Sequence, residues 1–96
     1  MRVIVTGAAG FIGSHLSRAL VQLGVQVVGI DSLIRGREEN IVGLTGSPQF
    51  NFVRDDVRNI HLDASFLRNI DYVFHLASTV GGIGVYKSIP HEVLAT

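Results

Sequence analysis

Three glycines spaced three residues apart, Gly7, Gly10 and Gly13, form the motif that most clearly predicts chemistry in this 96-residue sequence. They lie between an apolar, β-branched segment, which predicts a buried strand, and a segment with the apolar period of a helix. The first turn of a helix carries unpaired N–H groups and a partial positive charge, so it can hold a pyrophosphate without a lysine. In such a turn Gly7 permits the tight bend, and Gly13 lets the helix pack close to the strand. We predict that a dinucleotide pyrophosphate binds at Gly10, Phe11 and Ile12; a glycine-rich turn without a ligand is the alternative.

An acidic residue after the second predicted strand is an independent indication of nucleotide binding. Asp31 follows Gly7 by 24 residues, close to the roughly 20-residue offset at which an acid binds the adenosine ribose. Its carboxylate would accept hydrogen bonds from both ribose hydroxyls and repel a 2′-phosphate, which favours NAD over NADP; a solvated turn carboxylate is the alternative. Ser32 and Arg35 belong to the same predicted cofactor-binding loop. Arg35 and Arg37 could compensate a 2′-phosphate or be solvated loop charges, and both options remain open.

The predicted elements that would position these residues alternate between strand and helix. Strands are expected at Arg2–Thr6, Val25–Ile30, Gln49–Arg54 and Asp71–Leu76. Helices are expected at Phe11–Leu23 and Asp63–Asn69, with a short one near Glu38–Leu44 and another beginning near Pro90. The alternation predicts an α/β fold: a Rossmann-type parallel sheet with strand order 3-2-1-4 and helices on both faces. The ligand crevice would lie at the carboxyl ends of the first and fourth strands.

The segment TGAAGFIGSHL, which begins at Thr6, is similar to the TGxxGFIGSHL motif of the extended short-chain dehydrogenases. The resemblance is strongest to the NAD-dependent nucleotide-sugar epimerases and dehydratases. It covers the whole chain, but only the N-terminal part of a typical family member. It implies further cofactor contacts after the third and fourth strands. The residues concerned are Asp56 and Val57, which would recognise adenine, and Leu76, Ala77 and Ser78, whose backbone would run beneath the cofactor.

The catalytic pair of that family is absent from this sequence. The family that the chain resembles uses a Tyr-x-x-x-Lys pair, whose tyrosine exchanges a proton with the sugar hydroxyl while hydride moves to NAD. Lys87 is the one lysine, and Ile83 stands four places before it. We therefore predict no catalytic residue in this chain, NAD as its cofactor, and a nucleotide sugar as ligand only together with a missing C-terminal region.

The leading interpretation is thus the NAD-binding portion of a nucleotide-sugar epimerase or dehydratase. A stand-alone, non-catalytic NAD-binding module or sensor subunit is one alternative. A structural remnant that binds nothing is the other.

Composition narrows the possible partners. Eight Lys and Arg residues balance eight Asp and Glu residues, so no charge surplus indicates nucleic acid or a membrane surface as a partner. The sequence has no cysteine for thiolate chemistry, and its four histidines lack the spacing of metal ligands. No apolar run approaches the ~20 residues that span a bilayer. We expect one domain over residues 1–96, without a metal, in the cytoplasm.

The fourth predicted strand is expected to have an unpaired edge. In the fold of the family that the chain resembles, a further strand covers this edge, and the sequence lacks it. Residues 71–76 contain no proline or lysine to discourage pairing with another chain. We therefore expect the chain to self-associate through strand 71–76 or to require the rest of its polypeptide.

Overall fold

The computed structural model describes residues 1–34, 36–56 and 68–77, together with the backbone of residues 84–86. Its elements are β1 (Arg2–Thr6), α1 (Phe11–Gln22), β2 (Gln26–Asp31), a 3₁₀ helix (Glu38–Ile41), β3 (Phe50–Arg54), β4 (Tyr72–His75) and β5 (Gly84–Tyr86). The four predicted strands and the first helix are confirmed, with each boundary displaced by at most one residue. The short helix predicted near residues 38–44 is confirmed as a 3₁₀ helix. The helix predicted near Pro90 lies outside the described residues, as does most of the one predicted at 63–69.

The sheet has the order β3-β2-β1-β4-β5, and its first four strands are parallel. This confirms the predicted Rossmann-type arrangement, strand order 3-2-1-4. β1 occupies the middle of the parallel part because its residues are apolar on both faces, as a strand covered on both sides requires. Thr6 at the end of β1 pairs with Ile30 of β2 and with His75 of β4. The carboxyl ends of these strands therefore meet at one edge of the sheet.

The expectation of an unpaired edge at residues 71–76 is wrong. β5 pairs with β4 in antiparallel orientation, with Val73 opposite Tyr86 and His75 opposite Gly84. Sequence patterns did not predict this strand, since three residues that begin with a glycine carry too little apolar alternation to indicate one. Because β5 pairs with the backbone N–H and C=O groups on that side of β4, those groups are not available for self-association through residues 71–76.

Apolar residues cover both faces of the sheet. On the face covered by α1, the buried cluster comprises Val3, Val5, Ala8, Ala9, Val27, Ile41, Leu44 and Phe50. On the opposite face it comprises Ile4, Val28, Ile30 and Val73. The buried residues of helix α1 are the small residues Gly13, Ser14 and Ser17, and its partly buried Leu16, Leu20 and Val21 also pack against the cluster on the α1 face. The short side chains allow the start of α1 to approach the end of β1 closely.

Candidate functional site

The glycine turn between β1 and α1 is tight and internally hydrogen-bonded. Gly7 has a φ of +71°, a conformation that glycine adopts without steric cost. A Cβ atom at this position would lie 3.0 Å from the Leu76 carbonyl carbon. The N–H groups of Gly7 and Ala8 donate to the Ile30 carbonyl at 2.7 and 3.3 Å. The N–H of Gly10 donates to the Gly7 carbonyl at 3.1 Å. The turn is therefore fixed to the end of β2 and lies against the end of β4.

The other two glycines of the motif have different surroundings. A Cβ atom on Gly13 would lie 2.1 Å from the Gly7 carbonyl oxygen, so only glycine permits the observed contact between α1 and the turn. Among the described residues, a Cβ atom on Gly10 would meet only that same oxygen, at 3.3 Å. Gly13 therefore packs the helix against the turn, whereas Gly10 leaves space above it.

Unpaired backbone donors lie at the start of α1. Ser14 is the first helical residue whose N–H is bonded, to the Gly10 carbonyl at 2.9 Å. Among the described residues, the N–H groups of Phe11, Ile12 and Gly13 have no acceptor. No side chain caps this end of the helix and no acidic residue lies in its first turn. The arrangement leaves the positive end of the helix dipole available to an anion. Of the three predicted pyrophosphate-binding residues, Gly10 has its N–H bonded within the turn, whereas those of Phe11 and Ile12 have no acceptor among the described residues.

Asp31 is the last residue of β2, and its side chain is buried beside the glycine turn, with 8% of the residue exposed. Oδ2 accepts a 2.8 Å hydrogen bond from the Ala9 N–H, and Oδ1 accepts one of the same length from the Leu33 N–H. The alternative of a solvated turn carboxylate is therefore wrong. A carboxylate oxygen has about two acceptor positions, so each oxygen keeps one for a further donor.

The loop after β2 passes close to this carboxylate. A Cβ atom on Gly36 would lie 2.6 Å from Oδ2 of Asp31, so the observed approach requires glycine. The Ser32 hydroxyl is bonded within the loop, to the Ile34 N–H at 3.4 Å. The Arg37 guanidinium lies 3.5 Å from the Glu39 carboxylate, and both side chains are well exposed. Arg37 is thus a paired surface charge, which supports its interpretation as a solvated loop charge and not as a group that compensates a 2′-phosphate. Arg35 lies outside the described residues.

A buried polar pair lies where β1 and β4 end. The Thr6 hydroxyl oxygen lies 2.9 Å from Nδ1 of His75, and it accepts the N–H groups of Leu76 and Ala77 at 2.9 and 3.2 Å. Burial lowers the pKa of His75 below its ordinary value of 6.5. Sequence reasoning assigned no role to either member of this pair, although both adjoin predicted site residues. Leu76 and Ala77 lie beside the glycine turn, and Ser78 falls outside the described residues.

The residues after β3 reach the same edge of the sheet. The Asp55 N–H donates to the Asp31 carbonyl at 3.1 Å, so the end of β3 is fixed to the end of β2. The Asp56 N–H is bonded to Oδ1 of Asp55 at 2.8 Å. Val57, predicted to act with Asp56, lies outside the described residues. The described part of the chain therefore brings together Gly7–Gly13, Asp31, Asp56 and Leu76–Ala77.

The sequence of this chain matches the model of the NAD dependent epimerase/dehydratase family over residues 3–96. The chain belongs to this family. The match confirms the resemblance that the glycine motif indicated and supports NAD as the cofactor.

Individual relatives are several times longer than this chain. UDP-glucuronic acid decarboxylase 1 of Arabidopsis thaliana is 38% identical over 96 residues, which are 100% of this chain and 21% of that protein. UDP-glucose 4-epimerase of Mycolicibacterium smegmatis is 42% identical over 81 residues, which are 83% of this chain and 26% of that protein. A dTDP-glucose 4,6-dehydratase of Streptomyces venezuelae, solved with NAD bound, has a TM-score of 0.73 and 36% identity, covering 84% of this chain and 27% of the other. The chain thus spans about a quarter or less of these proteins.

The described ranges contain neither a metal-binding cluster nor a membrane-spanning helix. No three His, Asp or Glu side chains there are grouped so that they could hold a metal ion. No helix in the same ranges is long and apolar enough to cross a membrane.

Proposed function

We propose that this chain is the NAD-binding portion of an enzyme that oxidises a hydroxyl of a nucleotide-linked sugar by hydride transfer to NAD. The observation that carries the proposal is the set of unpaired N–H donors at the start of α1, beside the buried carboxylate of Asp31. Family membership supports the cofactor. The three relatives described above are named for sugars linked to UDP or dTDP, which supports the substrate class.

The unpaired N–H donors and the Asp31 carboxylate would suit the pyrophosphate and the adenosine ribose of the ADP half of NAD. The Phe11 and Ile12 N–H groups would bind the pyrophosphate, and the space above Gly10 would let it approach the backbone. Asp31 would accept hydrogen bonds from the adenosine ribose hydroxyls. Its carboxylate oxygens have lone pairs for these bonds that the Ala9 and Leu33 N–H groups do not use. The carboxylate would thus serve the cofactor and the turn together.

The remaining predicted contacts complete the proposed site. Asp56 and Val57 would recognise adenine, Ser32 and Arg35 would lie along the loop beside the ribose, and the backbone of Leu76, Ala77 and Ser78 would run beneath the nicotinamide half. Of these residues, Leu76 and Ala77 have the most direct support, because the Thr6 hydroxyl fixes their N–H groups beside the glycine turn.

NAD, when bound, supplies the hydride acceptor. This chain would bind and orient it, and a proton acceptor would come from elsewhere in the full-length protein, because the sequence contains no Tyr-x-x-x-Lys. We further propose a cytoplasmic location, in line with the absence of cysteine. The 96-residue chain by itself should therefore turn over no nucleotide sugar.

Calorimetric titration of the full-length protein with NAD tests the binding site. Gly10→Val should still fold, because Gly10 has extended backbone angles that valine adopts readily. It should abolish NAD binding, because the added methyl groups would enter the space that the phosphate needs. Gly46→Val is the matched control, since a Cβ atom there meets nothing within 4 Å in the part of the chain that the structure describes. Equal NAD affinity in the wild type and Gly10→Val would refute the proposed site.

Turnover tests the substrate class. Full-length protein should convert at least one member of a panel of UDP- and dTDP-linked hexoses and hexuronates, and Gly10→Val should not. Tight NAD binding without conversion of any panel member would instead favour the stand-alone NAD-binding module.

A further inference from the structure

The peptide group that joins Ala9 to Gly10 is held by hydrogen bonds at both of its polar atoms. Its carbonyl oxygen accepts from the Arg37 N–H at 3.0 Å and from Nδ2 of Asn40 at 2.8 Å. Its N–H donates to the Gly7 carbonyl at 3.1 Å. Because a peptide group is planar, these three bonds fix the orientation of the whole unit.

Asn40 is itself anchored from two sides. Nη2 of Arg18, on α1, donates a 2.7 Å hydrogen bond to the Asn40 backbone carbonyl. The next residue, Ile41, is completely buried in the core beneath α1. The Asn40 amide is therefore presented to the turn by a segment that both the helix and the core hold in place.

The two donors to the Ala9 carbonyl differ in whether they depend on the type of residue at their position. The Arg37 donor is a backbone N–H, which every residue except proline supplies. The Asn40 donor is a side-chain amide, which an aspartate or an aliphatic residue at the same position would lack. Asn40 is thus the residue whose identity determines whether the carbonyl is fully paired.

We propose that Asn40 is a positioning residue for the phosphate-binding turn: its amide orients the Ala9–Gly10 peptide, and with it the Phe11 and Ile12 N–H groups that follow. The inference rests on the proposed NAD site, but it requires no contact between Asn40 and the cofactor. Loss of the amide leaves the Ala9 carbonyl with one donor and lets the peptide rotate. Binding of a pyrophosphate should then weaken, while binding of adenosine through Asp31 should not.

Two variants of the full-length protein test this role, together with a matched control. Asn40→Leu removes the donor without adding charge, and Asn40→Asp removes it with little change of shape. Asn51→Asp makes the same chemical change at an exposed position of β3. The probes are ADP, which carries the pyrophosphate, and adenosine, which lacks it. Each affinity is corrected for the fraction of the protein that is folded.

Both Asn40 variants should bind ADP about tenfold more weakly than the wild type, the effect of about one net hydrogen bond. Adenosine affinity should stay within about twofold, and Asn51→Asp should match the wild type for both probes. In the ligand-free protein, the Gly10 amide hydrogen should exchange faster in Asn40→Leu than in the wild type, because one donor instead of two then holds the carbonyl of its peptide.

Equal weakening of ADP and adenosine, or unchanged ADP affinity in Asn40→Leu, would overturn the positioning role. Faster global unfolding of the Asn40 variants, with an unchanged ratio of ADP affinity to adenosine affinity, would also overturn the positioning role. It would show that the hydrogen bond only stabilises the fold. Failure of the wild type to bind ADP or NAD would instead contradict the proposed function.

Discussion

The Thr6 hydroxyl oxygen lies 2.9 Å from Nδ1 of His75, and both residues are buried where β1 and β4 end. That oxygen also accepts the N–H groups of Leu76 and Ala77. A hydroxyl has one hydrogen and two acceptor positions, so its hydrogen is left to point at His75. Nδ1 therefore accepts, and the neutral ring carries its proton on Nε2.

Replacing Thr6 with valine should lower the free energy of unfolding by about 1–3 kcal/mol. Valine has the same shape, but it leaves the Ala77 N–H without its acceptor and Nδ1 of His75 without its donor. Thr6→Ser keeps the hydroxyl and should lose much less. Urea denaturation of the three proteins measures the difference, and equal stability of wild type and Thr6→Val would contradict the arrangement.

Stability should depend on pH through His75. Because burial lowers the pKa of His75 in the folded protein, the unfolded chain binds a proton in a pH range where the folded chain does not. The free energy of unfolding should therefore fall as the pH drops below about 6.5, and stop falling once the pH is below the folded-state pKa. The slope from this one group cannot exceed about 1.4 kcal/mol per pH unit.

His75→Asn isolates that contribution. The asparagine oxygen can accept the Thr6 hydroxyl close to the position of Nδ1, and it does not titrate. Urea denaturation between pH 8 and pH 5 should show a shallower loss of stability in the variant, while the other histidines affect both proteins alike. Identical pH profiles would show that His75 does not contribute.

Gly13→Ala should destabilise the protein by about 3 kcal/mol or more, because its Cβ would need to displace the Gly7 carbonyl. Gly46→Ala, in open space, is the control and should change stability by less than about 0.5 kcal/mol. Thermal melts of the two variants provide the comparison. A Gly13→Ala protein that melts with the wild type would mean that α1 can shift away from the turn at little cost.

Asp31→Asn should reduce both the preference for NAD over NADP and the stability of the protein. A carboxylate that bonds the ribose hydroxyls would lie about 4 Å from a 2′-phosphate and would disfavour NADP by about 4 kcal/mol, or roughly a thousandfold, at an effective dielectric constant near 20. Stability falls because an amide offers one oxygen to the two N–H groups of Ala9 and Leu33. Affinities for the two dinucleotides and a urea denaturation curve measure the effects.

Arg37→Gln is the matched change for that experiment. Because the Arg37 guanidinium is exposed and lies beside Glu39, its removal should leave the ratio of NAD to NADP affinity unchanged. A large change in that ratio would give Arg37 a role at the 2′ position that its pairing does not indicate.

Local patterns in the sequence predicted the strands, the first helix and the turn. β1 and β2 are continuous apolar runs, α1 has an apolar period close to 3.6 residues, and the glycine spacing identifies the turn between them. That period would also place Ile12 and Leu23 on the buried face of the helix, but they are 57% and 78% exposed. The small residues of α1 bring the helix close to the sheet, and hydropathy alone gives them little weight.

The polar contacts of the site could not be predicted, because they join residues far apart in the chain. Ala9 and Asp31 are 22 residues apart, and Thr6 and His75 are 69 apart. A sequence pattern places each of these residues at the end of a strand or in a turn. Their distances depend on strand register and on the exact path of the loop, which no local period encodes.

The hydrogen bonds already present in the turn from Gly7 to Gly10 also bear on the kinetics of ligand binding. Since folding has ordered this turn, an arriving phosphate group need not wait for it to close, and little conformational entropy is lost there on binding. Substitutions in the surrounding residues should then affect chiefly how long a bound dinucleotide stays, and hardly how fast it arrives.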